Sequence, residues 1–83
     1  MSALGELRET LRQVETSLDR AHARLAHGRR RLTEAEVALA RINPDHPEMV
    51  VPPELHRADD QIEHTLTLIE QVVDTLRDYA TRL

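Results

Sequence analysis

The chain has 83 residues, a net charge of −4, no cysteine and one aromatic residue, Tyr79. A chain of this length forms one small domain at most, and the missing thiols exclude disulfides and thiolate metal sites. The acidic balance and the lack of aromatic stacking surfaces argue against a nucleic-acid-binding protein.

The N-terminal half predicts one long helix, over residues 2–42. Leucine recurs at every seventh position from Leu4 to Leu39, and a second row, three residues further on, runs from Leu7 to Ile42. Such 4-3 spacing is typical of a helix that packs along another helix, because it keeps one stripe facing the partner. We call the line of contact between the two helices the seam.

Gly28 leaves an alternative open for this helix. A glycine in a helix interior costs about 1 kcal/mol relative to alanine. The segment Thr33-Glu34-Ala35-Glu36 also reads as a capping box, which would end one helix at residues 28–32 and give three helices in all. The heptad phase continues through Gly28 without a skip, which favours one continuous helix.

The next segment, residues 43–52, is predicted to be a loop. All four prolines of the chain lie between Pro44 and Pro53. Proline removes a backbone donor and restricts the residue before it, so the first helix should end near residue 42. Proline is also favoured in the first turn of a helix, so the second helix should begin at Pro53.

The C-terminal half predicts a second helix, over residues 53–83. Its apolar stripe has the same 4-3 spacing, interrupted where Asp59 takes a seam position: Leu55, Ile62, Leu66, Ile69, Val73, Leu76, Ala80 and Leu83. Two long helices joined by a proline-rich loop predict an all-α, coiled-coil-like antiparallel helical hairpin. Residues 1–83 then form a single domain.

The two stripes also predict the register of the hairpin. Aligning them places Leu39 against Leu55 and Leu11 against Leu83, with the alternate row of the first helix also inside the seam. In that row we expect three layers, which are Val14 with Ala80, Ala21 with Val73, and Gly28 with Leu66. The same alignment brings together three polar pairs that favour this register, namely Glu15 with Arg77, His22 with Glu70, and Arg29 with Glu63.

Several apolar residues have no partner inside this hairpin. The first ten residues or so extend beyond the second helix, and an exposed leucine stripe indicates contact with another chain. The second helix carries further apolar residues outside its seam, although scattered surface hydrophobicity is the alternative for these. The predicted interface residues are Leu4, Leu7, Leu11, Leu68, Val72 and Tyr79. A two-fold homodimer forming a four-helix bundle is the simplest assembly that covers them, and a separate helical partner protein is the competitor.

Two clusters of polar residues are candidate sites. His56, Asp60 and His64 follow at helical spacing and are weak candidates for a metal site, against the alternative of a solvated helix face, so we expect neither a metal nor a cofactor. The basic cluster is a candidate for contact with an anion or an acidic partner: Arg24, Arg29, Arg30 and Arg31. No arrangement of nucleophile, base or phosphate-binding loop is found, which predicts a protein that is not an enzyme.

The hairpin with its central loop resembles the WXG-type proteins of type VII secretion, which are of similar size and commonly pair as four-helix bundles. Its loop, Ile42-Asn43-Pro44-Asp45-His46-Pro47, has no Trp-x-Gly, and Tyr79 is not followed by an acid four residues later. The chain also looks like other small actinobacterial helical-hairpin proteins, in keeping with a basic complement made entirely of arginine. The resemblance implies an architecture and transfers no functional residue.

From the sequence we therefore expect a non-enzymatic protein–protein interaction module that dimerises and binds a partner through its outer helical faces. A secretion-system substrate or escort and a small regulatory or antitoxin-like inhibitor are the alternatives. Without a signal peptide or an apolar span, the expected location is the cytoplasm, with export by a signal-peptide-independent route as the alternative.

Overall fold

The computed structural model describes residues 2–83, which form two long helices packed antiparallel. Helix α1 spans Ala3–Ala40 and helix α2 spans Pro53–Thr81, with a short 3-10 turn at Pro47–Met49 between them. The hairpin is a rod with extents of 64 × 15 × 15 Å. This confirms the predicted all-α helical hairpin.

The ends of both helices follow from local chemistry. Ser2 caps α1, since its Oγ accepts a hydrogen bond from the Gly5 N–H at 3.0 Å. Helix α1 ends at Ala40, two residues before the predicted end, ahead of the residue that Pro44 restricts. Helix α2 begins at Pro53 as predicted, because proline fits the first helical position, and ends at Thr81.

Helix α1 runs through Gly28 without a break. The Thr33 hydroxyl donates a hydrogen bond to the Arg29 carbonyl oxygen within the helix at 3.1 Å, so Thr33 is an interior residue and does not cap a third helix. A Cβ added to Gly28 would meet nothing within 4 Å. The glycine therefore leaves open space and does not serve a tight approach of Leu66.

The seam between α1 and α2 is long and shallow. Most of its apolar side chains are half-buried, and among residues 2–83 only Val51 and Val73 are buried, at 8% and 5% exposure. Val73 lies at the predicted seam position. Val51 belongs to the segment that the sequence predicts only as a loop. Its N–H donates a hydrogen bond to the Pro47 carbonyl oxygen at 3.0 Å, which closes a turn in this segment.

The predicted alternate row of α1 is only partly correct. Ala21 and Gly28 are half-buried, but Val14 and Ala35 are exposed, so the prediction that these two lie inside the seam is wrong. The row one residue further on is half-buried in its place: Glu15, His22, Arg29 and Glu36. A single partner helix covers only a narrow stripe of α1, and the charged side chains turn that stripe toward their partners on α2.

Candidate interaction surface

One side of the hairpin is a row of facing acidic, arginine and histidine side chains, which we call the charged face. Its members are Glu15, His22, Arg29 and Glu36 on α1 and Arg77, Glu70, Glu63 and His56 on α2. Three of the four facing pairs are in contact in the structure, and they are the three pairs that the sequence predicted. Each step of seven residues forward along α1 matches a step of seven backward along α2.

The contacts on the charged face are direct. His22 Nε2 lies 3.0 Å from Glu70 Oε1, and Arg77 Nε donates to Glu15 Oε1. Hydrogen bonding to Glu15 raises the pKa of the Arg77 guanidinium, and the negative charge of Glu15 raises it further. These pairs join the two helices at separate points along the rod and so hold one register.

Arg29 makes the richest polar contact of the charged face. Its Nε donates to Asp59 Oδ1 at 2.9 Å and its Nη2 donates to Glu63 Oε2 at 3.2 Å. The hydrogen bond to Asp59 raises the pKa of Arg29 most, and the charges of Asp59, Glu63 and Asp60 add to this, although partial desolvation lowers it. The sequence predicted Glu63 but not Asp59, and the polar side chain at a seam position was the available signal.

The fourth pair of the charged face is open. Glu36 and His56 both line a cavity of about 390 Å³ at the loop end of the rod, whose apolar walls include Val37 and Val51. Glu36 Oε1 is shielded from solvent and finds no hydrogen-bond partner among residues 2–83. Shielding a carboxylate oxygen without a hydrogen-bond donor costs free energy, so we expect Glu36 to lower the stability of the hairpin.

Helix geometry places an apolar surface on the other side of the seam. Each residue turns an α-helix by about 100°, so positions four after the seam leucines lie about 40° to one side of them, and positions three after lie about 60° to the other. The former positions carry the charged row of α1. The latter therefore point away from the charged face, and the same reasoning applies to the corresponding row of α2.

We call this surface the apolar face. Its residues on α1 are Leu7, Val14, Ala21, Gly28 and Ala35, and those on α2 are Ala58, Thr65, Val72 and Tyr79, with Leu68 at the edge. Among these, Leu68 and Val72 are each 45% exposed and Tyr79 is 50% exposed. Large side chains thus surround a shallow centre formed by alanine and glycine, which is a shape that a further helix can fill.

The N-terminal end of α1 extends the apolar face beyond α2. Residues 2–10 are all exposed, and Leu11 is the first half-buried residue of the helix. Leu4 and Leu7 are 42% and 38% exposed, in keeping with their prediction as residues without an intramolecular partner. Leu11 itself lies at the end of the seam. About two turns of α1 therefore stand uncovered by the hairpin.

The predicted metal candidates do not form a cluster in the structure. Within residues 2–83 no group of three or more histidine, aspartate or glutamate side chains is placed to hold a metal ion. Of the three candidates, His56 lines the loop-end cavity. Asp60 and His64 are exposed on the surface of α2.

The four arginines of the basic cluster do not share one surface. Arg29 is part of the charged face, and Arg31 reaches Glu34 on its own helix at 3.4 Å. Arg24 and Arg30 are exposed. Arg24 and Arg31 are seven residues apart and lie on the flank of the apolar face, so anion or acidic-partner contact stays a prediction for the exposed members.

Comparison with known protein families, with curated protein sequences and with solved structures finds no match to this chain. The resemblance to WXG-type proteins therefore stays a prediction. Neither α1 nor α2 contains a stretch that is long and apolar enough to cross a lipid bilayer, within residues 2–83.

Proposed function

We propose that the chain is a non-enzymatic protein–protein interaction module whose fold is completed by association with a second copy. The observation that carries this proposal is the small core, with Val51 and Val73 as the buried residues of the described chain. A single core in a domain of this size seldom supplies more than about 3–5 kcal/mol. Further burial against another chain would supply the stability that the hairpin lacks.

The exposed apolar residues support the same proposal. Six of the nine large exposed apolar residues among residues 2–83 lie on one side of the rod or on the N-terminal extension of α1, and the other three lie at the loop end: Val37, Ile42 and Met49. Contiguous apolar surface with a polar surround is typical of an interface.

The test is the mass of the purified chain in solution. Light scattering coupled to gel filtration, over roughly 5–200 μM, should give twice the 9.5 kDa mass of one chain. Dilution should shift the mass toward that of one chain and lower the thermal midpoint together with it. A stable, helical monomer throughout this range would overturn the proposal.

The loop end is our proposed surface for a partner protein. Val37 and Met49 are exposed there, next to the cavity, and neither belongs to the apolar face. A four-helix dimer through the apolar face would leave them accessible. If they bind the partner, Met49→Glu should reduce its capture by the purified dimer without altering the dimer mass, whereas Leu68→Glu should alter the dimer mass first.

A further inference from the structure

We infer that the second copy binds the apolar face in an antiparallel arrangement, so that α1 lies against α1 and α2 against α2, with a two-fold axis through the layer of Ala21 and Val72. This inference rests on the proposed function and adds the orientation of the two copies. The alternative two-fold arrangement keeps the copies parallel and places α1 against the second copy's α2.

The N-terminal extension of α1 favours the antiparallel arrangement. In the parallel arrangement, both extensions lie at the same end of the assembly, where no α2 helix reaches them, and their leucines stay exposed. In the antiparallel arrangement, each extension lies along the C-terminal half of the other α1. Leu7 then meets Ala35 of the second copy, and the two α1 helices cover each other along their length.

Side-chain size favours the same axis. Ala21 lies at the midpoint of α1, so the axis places it against its own counterpart and places Val14 against Gly28. A large residue meets a small one in each outer layer, and the central layer is small on both sides, which allows the helix axes to approach closely. The open space at Gly28 in the hairpin is then the space that Val14 of the second copy occupies.

The same two-fold axis relates the two α2 helices. Val72 lies in the layer of Ala21, because a step of seven along α1 matches a step of seven back along α2, so it also faces its own counterpart. Thr65 then meets Tyr79, again a small residue against a large one. Five of the seven carboxylates on α2 lie on or beside the charged face, so they do not oppose each other here: Asp59, Asp60, Glu63, Glu70 and Asp74.

The charge distribution of α1 is complementary to itself when reversed. Its first half, residues 3–21, carries three arginines and four acids, and its second half, residues 22–40, carries four arginines and two acids. Antiparallel contact places the acidic half of each α1 beside the basic half of the other. On the flank of the apolar face, Arg24 and Arg31 lie in the basic half and Glu6 in the acidic half, whereas Glu15 and Asp19 lie on or beside the charged face.

The area is sufficient for a stable dimer. A face that follows a rod of 64 Å by 15 Å approaches the roughly 800 Å² per partner of a standard protein–protein interface. Its centre is apolar and its flanks are charged, as in interfaces generally. A second copy therefore fits the face in both size and chemistry.

The absence of cysteine from the chain allows a direct test. Two single variants, Ala21→Cys and Val72→Cys, are oxidised separately and as an equal mixture, and the linked products are weighed by mass spectrometry. The antiparallel arrangement places each of these positions on the axis. Each variant should therefore link to itself at least about tenfold faster than Thr16→Cys, an exposed control on the outer side of α1.

The parallel arrangement predicts the opposite products. Neither variant would then link to itself, and the mixture would yield the mixed Ala21→Cys and Val72→Cys dimer, which would overturn the inference. Linking no faster than Thr16→Cys in all three samples would also overturn it. Helicity and thermal midpoints of the reduced variants establish that each is folded, and two axis positions guard against the loss of one.

The mass of the unmodified chain separates this inference from the proposed function. A dimeric mass with the wrong cross-links rejects the antiparallel arrangement and leaves the interaction module standing. A monomeric mass throughout the concentration range rejects both.

Discussion

On the charged face, polar side chains of α1 and α2 pair with each other at three places along the rod. On the apolar face, the two helices leave a surface of the same length open to solvent. The charged contacts are exposed pairs, each of modest worth, but they act at fixed intervals and so specify how the helices align. The apolar residues carry most of the free energy that burial can supply, yet the hairpin buries few of them. Alignment and stability are thus assigned to opposite sides of the same rod.

The largest expected effect on stability comes from substitutions at two adjacent valines, one in the seam and one on the apolar face. Val73 is buried and Val72 is about half exposed. Val73→Ala should lower the free energy of unfolding by about 1.5–3 kcal/mol at every protein concentration, because it removes buried methyl groups from the hairpin itself.

Val72→Ala is the matched control for that substitution. It should have little effect where the chain is monomeric and a growing effect as the concentration rises. Denaturant titrations at two concentrations measure both. Equal losses at both concentrations for Val72→Ala would remove the distinction between the seam and the apolar face.

The second prediction concerns the open pair of the charged face. Glu36→Met removes a carboxylate whose Oε1 is shielded and without a partner, and it keeps an unbranched side chain against the apolar cavity wall. The free energy of unfolding should rise by about 1–2 kcal/mol. Glu34→Met, at an exposed position on the same helix, should stay within about 0.5 kcal/mol of the parent. A loss of stability for Glu36→Met would mean that the carboxylate is satisfied in solution.

The third prediction tests the glycine of the apolar face. Gly28→Ala should raise the free energy of unfolding of the hairpin by about 1 kcal/mol, because the position is helical and the added methyl group meets no atom within 4 Å. Ala23→Gly, at an exposed position in the same helix, should lower it by a similar amount. Thermal unfolding at low concentration measures both, and destabilisation by Gly28→Ala there would contradict the open geometry.

The smallest expected effect is a pH dependence on the charged face. The pKa of Arg29 is raised in the folded chain, so as long as its carboxylate partners are ionised its stabilising contribution is present below the ordinary arginine pKa and is lost only as the pH rises through the still higher folded value. The contribution of Arg29 should therefore stay constant up to at least about pH 10.5.

Arg29→Lys tests this sign in a chain that has no other lysine. The stabilising contribution of a lysine is fully present below its ordinary pKa of about 10.4 and is lost as the pH rises through the higher folded value, so the difference in thermal midpoint between the variant and the parent should stay constant up to about pH 9.5 and widen as the pH rises through and beyond about 10.4. A constant difference would show that the charge at residue 29 contributes nothing to the fold.

Much of this arrangement could be predicted from the sequence. The heptad spacing gave the two helices, the prolines gave the loop, and the charges at matching heptad positions gave the three pairs that the structure contains. These features can be predicted from one chain, because they depend only on the spacing of its apolar residues and on the positions of its charged residues. The continuous course of α1 through Gly28 followed in the same way from an uninterrupted phase.

The misses have a common physical origin. In a 4-3 pattern, the seam leucines are flanked by one row of residues on each side. The number of partner helices decides how far burial extends from the leucines toward either row. The pattern therefore predicts that Val14 and Ala35 lie inside the seam. One partner helix is too narrow to cover them as well. Val51 and the Arg29–Asp59 contact depend on the path of the loop and on a side chain reaching along α2, which neither periodicity nor composition encodes.

The alternation of charge along the charged face also resists slippage. If α2 slid by one heptad toward one end, Glu15 would stand opposite Glu70, and a slide toward the other end would set Glu36 opposite Glu63. Either shift would preserve the pattern of leucines and isoleucines almost unchanged, so hydrophobic contact alone barely penalises it. The order of acids and bases therefore selects one register among several that the apolar pattern would allow. Variants with one heptad inserted into α1 test this, since their unfolding should lose cooperativity before their helix content falls.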